Sequence, residues 1–172
     1  MDERTLTIAL RLLHILAGVF WVGTILLIAG FLLPTARSVG PEGGRFMQHL
    51  MLKRRLPVFL GIAALLTVLS GLIMYVRLSA ATHGAWAGTG PGIGYGFGGL
   101  AAILGGIMGG VISGPAARRM SAIGQQGLQG GGLSAEQQAE MQRMQARAAL
   151  GSRITAGFLA VAAGAMAVAR YL

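Results

Sequence analysis

Residues 12–33 run for about six helical turns without one Asp, Glu, Lys or Arg. A stretch of that length and polarity crosses a hydrocarbon core, which takes roughly 20 residues at helical rise. Three more charge-free stretches follow, at residues 56–76, 92–114 and 154–169, the last short enough to need extension at its ends. Backbone in lipid must satisfy its own hydrogen bonds, so these segments are expected to be helices, and four of them make a bundle. Composition agrees, since only 11% of the 172 residues are charged, against about a quarter in an ordinary soluble domain. The expectation is a single all-α integral membrane domain over residues 1–172. The apolar run is too long for a signal-peptide h-region, and no small-residue cleavage site follows it. Cysteine is absent, which excludes disulfides, thiolate metal sites and Cys nucleophiles.

The net charge of +9 is explained by topology rather than by nucleic acid. Ten of the fourteen Lys and Arg residues (Arg37, Arg45, Lys53, Arg54, Arg55, Arg118, Arg119, Arg143, Arg147 and Arg153) fall at one end of the predicted bundle. The other four, Arg4, Arg11, Arg77 and Arg170, fall at the opposite end. The positive-inside rule puts the ten in the cytoplasm and gives an up-down bundle with both termini outside. The clusters "LKRR" and "ARR" then meet anionic lipid heads.

Two stretches between and within the spans carry local signals. The glycine-dense residues 124–133 predict a flexible hinge, because glycine at that density is entropically expensive to hold in a helix. Ser134 then opens a capping-box pattern with Gln137, and "AEQQAEMQRMQARAAL" predicts a polar cytoplasmic helix running into the fourth span, with Glu140 three residues before Arg143. The third span holds ten glycines between Gly92 and Gly114. Its "GYGFGG" matches a dinucleotide fingerprint by letters only, since no strand precedes it. The spacing instead predicts close helix packing through Gly94/Gly98, Gly105/Gly109, Gly106/Gly110 and Gly110/Gly114, opposite a small-residue stripe at Ala156, Ala160 and Gly164. Pro57 either starts the second helix or kinks a longer one that begins near Glu42.

The residue needing an explanation is His14. Arg11, Arg77 and Arg170 sit at span ends, where arginine snorkels to the headgroups. His14 lies about 4–5 Å deeper than Arg11, in a layer with Met74 and Met166, while His83 and Trp86 come from the adjoining outer loop. Arg11, His14, Gly18 and Trp21 recur at helical spacing and are expected to form one stripe. An imidazole, a gap at Gly18 one turn below and a cation one turn above are the parts a haem b needs, with Arg11 and Arg77 for propionates and Trp21 packing beneath. The alternative use of a lone histidine near an interface is an interhelical hydrogen bond.

The segment "HILAGVFWVG", with Trp21 seven residues after His14 and Val22-Gly23 behind it, resembles the first helix of CopD-type (copper resistance D) bacterial membrane proteins and their four-helix relatives. That loose group includes the HemJ-type protoporphyrinogen oxidases. The similarity continues through "LLPTAR", "KRRLPVFLGIAALLTVLSGLIMY" and "AVARYL". The resemblance implies a four-helix bundle in the bacterial cytoplasmic membrane, with a haem-associated histidine carried onto His14 alone. The HemJ type has a lysine in its third helix, whereas the only lysine here is Lys53, in a loop, which argues against porphyrinogen oxidation. The CopD type is linked to copper, but no Met/His cluster of the kind copper favours is visible.

Three functions are expected in order. The first is a b-type cytochrome-like protein passing electrons to quinone or a redox partner at the outer face, with no residue assigned as catalytic. The second is a non-catalytic accessory subunit of a larger membrane complex, respiratory or photosynthetic, in contact with lipid and other subunits or a second copy. The third is copper handling through His14, His83 and Met74.

Overall fold

The computed structural model describes residues 2–129 and 132–172. Helices account for nearly all of them, and no strand occurs among the described residues. In chain order they are α1 (Glu3–Leu27), α2 (Leu33–Val39), α3 (Pro41–Gln48), α4 (Leu56–Ala81), α5 (Gly90–Met108), α6 (Gly114–Gln129) and α7 (Ala135–Val168). Four continuous helical stretches, Glu3–Val39, Leu56–Ala81, Gly90–Gly127 and Ala135–Tyr171, are long and apolar enough to cross a membrane. They contain the four predicted spans and overrun them, because helix continues into the charged flanks.

The starts of these helices are set by local chemistry. Asp2 accepts the Thr5 N–H at 2.8 Å to cap α1, and Thr89 accepts the Gly92 N–H to cap α5. Ser134 and Gln137 form the predicted reciprocal capping box at α7. Each cap satisfies amide donors that a first turn leaves open.

A proline follows each of the three irregular turns, and where the helix is continuous, at Pro34 and Pro115, it explains the turn. Wide π-type turns occur at Ile28–Leu32, His49–Lys53 and Gly109–Ser113, and each is followed within four residues by Pro34, Pro57 or Pro115. A proline inside a helix cannot donate to the carbonyl four residues back and its ring collides with that carbonyl. One extra residue in the turn relieves the collision while the neighbouring amides reach back five residues. Thus Leu33 N–H bonds the Ile28 carbonyl, and Arg54 N–H bonds the His49 carbonyl at 3.0 Å. At Pro57 the chain breaks altogether. Arg55 takes a left-handed φ of 52° and α4 begins at the next residue, so Pro57 starts the second long helix rather than kinking a longer one.

Two helix pairs make the bundle. Glu3 meets Arg77, His14 meets Gly71 and Gly18 meets Thr67, so α1 and α4 run in opposite directions. Gly94 meets Ala169, Gly98 meets Met166, Gly105 meets Phe158 and Gly109 meets Thr155, so α5 and α7 do the same. The pairs join in a core of Trp21, Ala63, Ala101, Ala102, Leu159 and Ala162, drawn from all four long helices. Large apolar side chains face outward, with Leu16 and Val19 each 68% exposed. This inversion of the soluble pattern suits a chain surrounded by lipid.

Four sequence expectations change. The predicted hinge at residues 124–133 is helical as far as Gln129, with Ile123 only 1% exposed just before it. Gly130 and Gly131 of that segment lie outside the described residues. Tertiary contact overrides the local glycine cost: Gly127 packs on Leu133, and Arg119 of α6 grips Glu140 of α7 at 2.6 and 2.9 Å. Glu140 therefore pairs across helices rather than with Arg143. On α7 the buried stripe is Gly151, Thr155, Leu159 and Ala162, whereas Ala160 and Gly164 are exposed and only Ala156 of the predicted stripe is covered. Gly94, Gly98, Gly105 and Gly109 do pack on α7, while Gly110 and Gly114 have open space where a side chain would be.

Thr155 is 3% exposed and its hydroxyl has no hydrogen-bond partner. An orphaned buried hydroxyl costs stability that an apolar isostere does not. Thr155→Val is therefore expected to leave the detergent-solubilised protein's thermal midpoint unchanged or higher. A loss of more than about 1 kcal/mol would mean that the hydroxyl has a partner.

Candidate functional site

His14 is the only His, Asp, Glu, Lys or Arg in the four charge-free stretches, and its surroundings are built by α4. Gly71 has no side chain, and a Cβ there would lie 2.7 Å from Cε1 and 3.0 Å from Nδ1 of the imidazole. The ring fills the notch that Gly71 leaves. From there Nδ1 reaches the Thr67 carbonyl oxygen at 2.8 Å, with the Ser70 hydroxyl oxygen further off at 3.4 Å. A carbonyl only accepts, so Nδ1 carries the proton and donates it, and in the neutral tautomer of that ring Nε2 is the nitrogen with the lone pair. The hydroxyls beside it are already used. Thr67 donates to the Ala63 carbonyl at 2.7 Å and Ser70 donates to that of Leu66.

The other predicted site residues are placed as follows. Gly18 faces Thr67, whose Cγ2 would be 3.4 Å from a Cβ at that position, so the space one turn below His14 is occupied by α4. Trp21 is buried in the core with its ring against Gly106, about 3.5 Å from where a side chain there would start. Arg11 is exposed while its neighbour Leu10 is half-buried, so the inward stripe of α1 runs Leu10, His14, Gly18 and Trp21, with Arg11 outside it. Arg77 pairs with Glu3. Met74 is half-buried, one turn along α4 from Gly71. His83 is exposed in the turn after α4, twelve residues beyond Gly71 and therefore about 18 Å along a helix axis from the His14 notch. It has a left-handed φ of 49°. Its N–H bonds the Ala80 carbonyl and the next amide, of Gly84, bonds that of Ser79, which is a Schellman closure of the helix end. Among the described residues, no three His, Asp or Glu side chains gather as metal ligands.

At the same end of the bundle, Trp86 folds onto α4 and α5. It meets Tyr75 edge-on at 5.2 Å and stacks on Tyr95 at 6.2 Å, while Arg170 lies 4.6 Å over the Tyr171 ring. Thr67, Ser70 and Gly71 were the residues the sequence reading passed over. Their signal was present: "TVLSG" puts two hydroxyls and a glycine on one face of an otherwise apolar span.

The arrangement tests haem against the residues present. His14 offers a lone-pair nitrogen with its opposite nitrogen anchored on a backbone carbonyl, the usual support for a ligating imidazole. The flat space is missing, because Gly18 is covered by Thr67 and the Gly71 notch is filled by the imidazole itself. Neither the groove along α5 and α7 nor the cavity beside Tyr75 and His83 is lined by His14. A haem does not fit within the α1–α4 interface. Copper shared by His14 and His83 does not fit either, given their separation. Compared with family models, curated proteins and solved structures, the chain shows no match.

What the geometry does support is an interhelical lock. Gly71→Ala is expected to cost about 1–3 kcal/mol by overpacking the imidazole. In a His14→Ala background the same change should cost much less, since the clashing ring is gone. Thermal or denaturant unfolding of the four variants measures the coupling, and additive effects would contradict the contact.

Proposed function

We propose that this chain is a non-catalytic membrane subunit, a four-span bundle that serves as an accessory or structural part of a larger membrane assembly. The observation that carries the reading is the use of His14. The one strongly polar ionisable group inside the spans is committed to a helix–helix hydrogen bond, leaving no acid–base or nucleophilic pair within the bilayer. The arginine asymmetry supports an up-down arrangement with both termini outside and the α2–α3 and α6–α7 connections in the cytoplasm. The resemblance to CopD-type proteins supports the bacterial cytoplasmic membrane as its location.

A b-haem reading keeps one specific support: Nε2 of His14 has no hydrogen-bond partner among the described residues. A haem on that nitrogen would have to lie outside the α1–α4 interface.

Visible spectra of the purified protein, oxidised and dithionite-reduced, separate the two. The subunit reading predicts a colourless protein that migrates with other subunits on native gels, and a His14→Ala variant that is less stable. A sharp reduced α-band that disappears in His14→Ala would replace it with the haem reading. Bound copper lost on mutating His14 or His83 would replace it with metal handling.

Orientation has its own test, made simple by the cysteine-free chain. A cysteine at Ala85 is expected to react with an impermeant thiol reagent added outside intact cells. One at Ala139 should react only after the membrane is opened, and the reverse pattern would invert the topology.

A further inference from the structure

A groove of about 420 Å³ runs along the outside of the α5–α7 pair, away from His14. Phe97, Leu100 and Leu104 form one wall, and Arg153, Gly157 and Val161 form the other. Its origin is Gly157. Nothing lies within 4 Å of where a Cβ would stand there, so α7 has a gap between Arg153 and Val161, one turn to each side. From Arg153 to Val161 the groove is about 12 Å long at helical rise. Its volume is that of an ordinary small-ligand site, and its walls are hydrocarbon except at one end.

That end is cationic. Arg153 is exposed and has no carboxylate partner among the described residues, whereas Arg45, Arg77 and Arg119 each have one. It also stands where α7 passes from its polar first half into its charge-free span. A long apolar channel closed by one free guanidinium at the polar boundary matches a molecule with an alkyl chain and an anionic head. We propose that the groove binds an anionic phospholipid, one acyl chain lying over Gly157 and the phosphate paired with Arg153. An interfacial basic residue contributes about 1 kcal/mol toward an anionic lipid, which corresponds to about a fivefold preference. Nothing in this assignment depends on whether His14 is structural or a ligand.

Native mass spectrometry of the full chain in mild detergent tests it, with phosphatidylglycerol and phosphatidylcholine of identical acyl chains titrated separately. The wild type should retain phosphatidylglycerol about fivefold better than phosphatidylcholine. Arg153→Gln should bring the two lipids level, and Arg153→Lys should keep the preference. Gly157→Leu, whose side chain enters the open groove without touching helix packing, should weaken both lipids. Circular dichroism melts confirm that each variant is folded before it is scored. Equal retention by the wild type, or an unchanged preference in folded Arg153→Gln, would overturn the proposal. So would a Gly157→Leu protein that binds as the wild type does, as expected if the face instead receives a second copy of the chain. Displacement of the lipid by millimolar glycerol phosphate would overturn it too, because the site would then read the headgroup alone.

Discussion

In lipid no hydrophobic force presses one helix on another, so association depends on close backbone approach and on polar groups with few alternative partners. The His14–Thr67 hydrogen bond, seated in the Gly71 notch, supplies both at one point. It sets the register of α1 against α4. From that register follow the covering of Gly18 by Thr67, the Glu3–Arg77 pair one end of the helices away, and the depth at which Trp21 enters the core. The α5–α7 pair solves the same problem mainly with glycine, the Ser113 hydroxyl adding one long bond of 3.4 Å to the Ala148 carbonyl of α7. There Gly94, Gly98, Gly105 and Gly109 bring the backbones close, and Trp21 ties the two pairs together over Gly106.

The prolines distribute along the chain in a way that complements this packing. Pro34, Pro57 and Pro115 each disturb helix where the apolar stretches give way to charge, and Pro41 and Pro91 stand at helix starts where the missing amide is harmless. Wide turns at Ile28–Leu32 and Gly109–Ser113 let α1 and α5 pass into polar flanking helices without a break. Of the three wide turns, only the one at His49–Lys53 is followed by a break, at Arg54–Arg55.

The spans were legible in the sequence because absence of charge over 20 residues has few other physical meanings in a chain of this composition. Caps at Ser134 and small-residue packing by Gly94, Gly98, Gly105 and Gly109 were legible because each rests on local geometry. Phase was harder. Gly157, Ala160 and Gly164 are as small as Gly151, Ala156 and Ala162, and nothing in residue size says which set faces the partner helix. Arg11 looked aligned with His14, three residues apart, yet an inward stripe of half a helix admits Leu10 and leaves Arg11 out. The predicted hinge failed at Gly124–Gln129 for a different reason: Ile123 and the Arg119–Glu140 pair hold a segment whose own propensity is poor. His14 itself stood out in the sequence, but its partner did not, because a backbone carbonyl acceptor carries no side-chain signature.

The protonation of one imidazole tests the central claim most directly. The chain has only three histidines, so nitrogen-15 NMR of histidine-labelled protein in lipid, with a His14→Asn variant as the blank, resolves the His14 ring. A ring protonated and hydrogen-bonded at Nδ1 is the result predicted by the Thr67 contact. A ring with a bare Nδ1, its proton on Nε2 alone, would contradict it, since Nδ1 would then have nothing to donate to the Thr67 carbonyl.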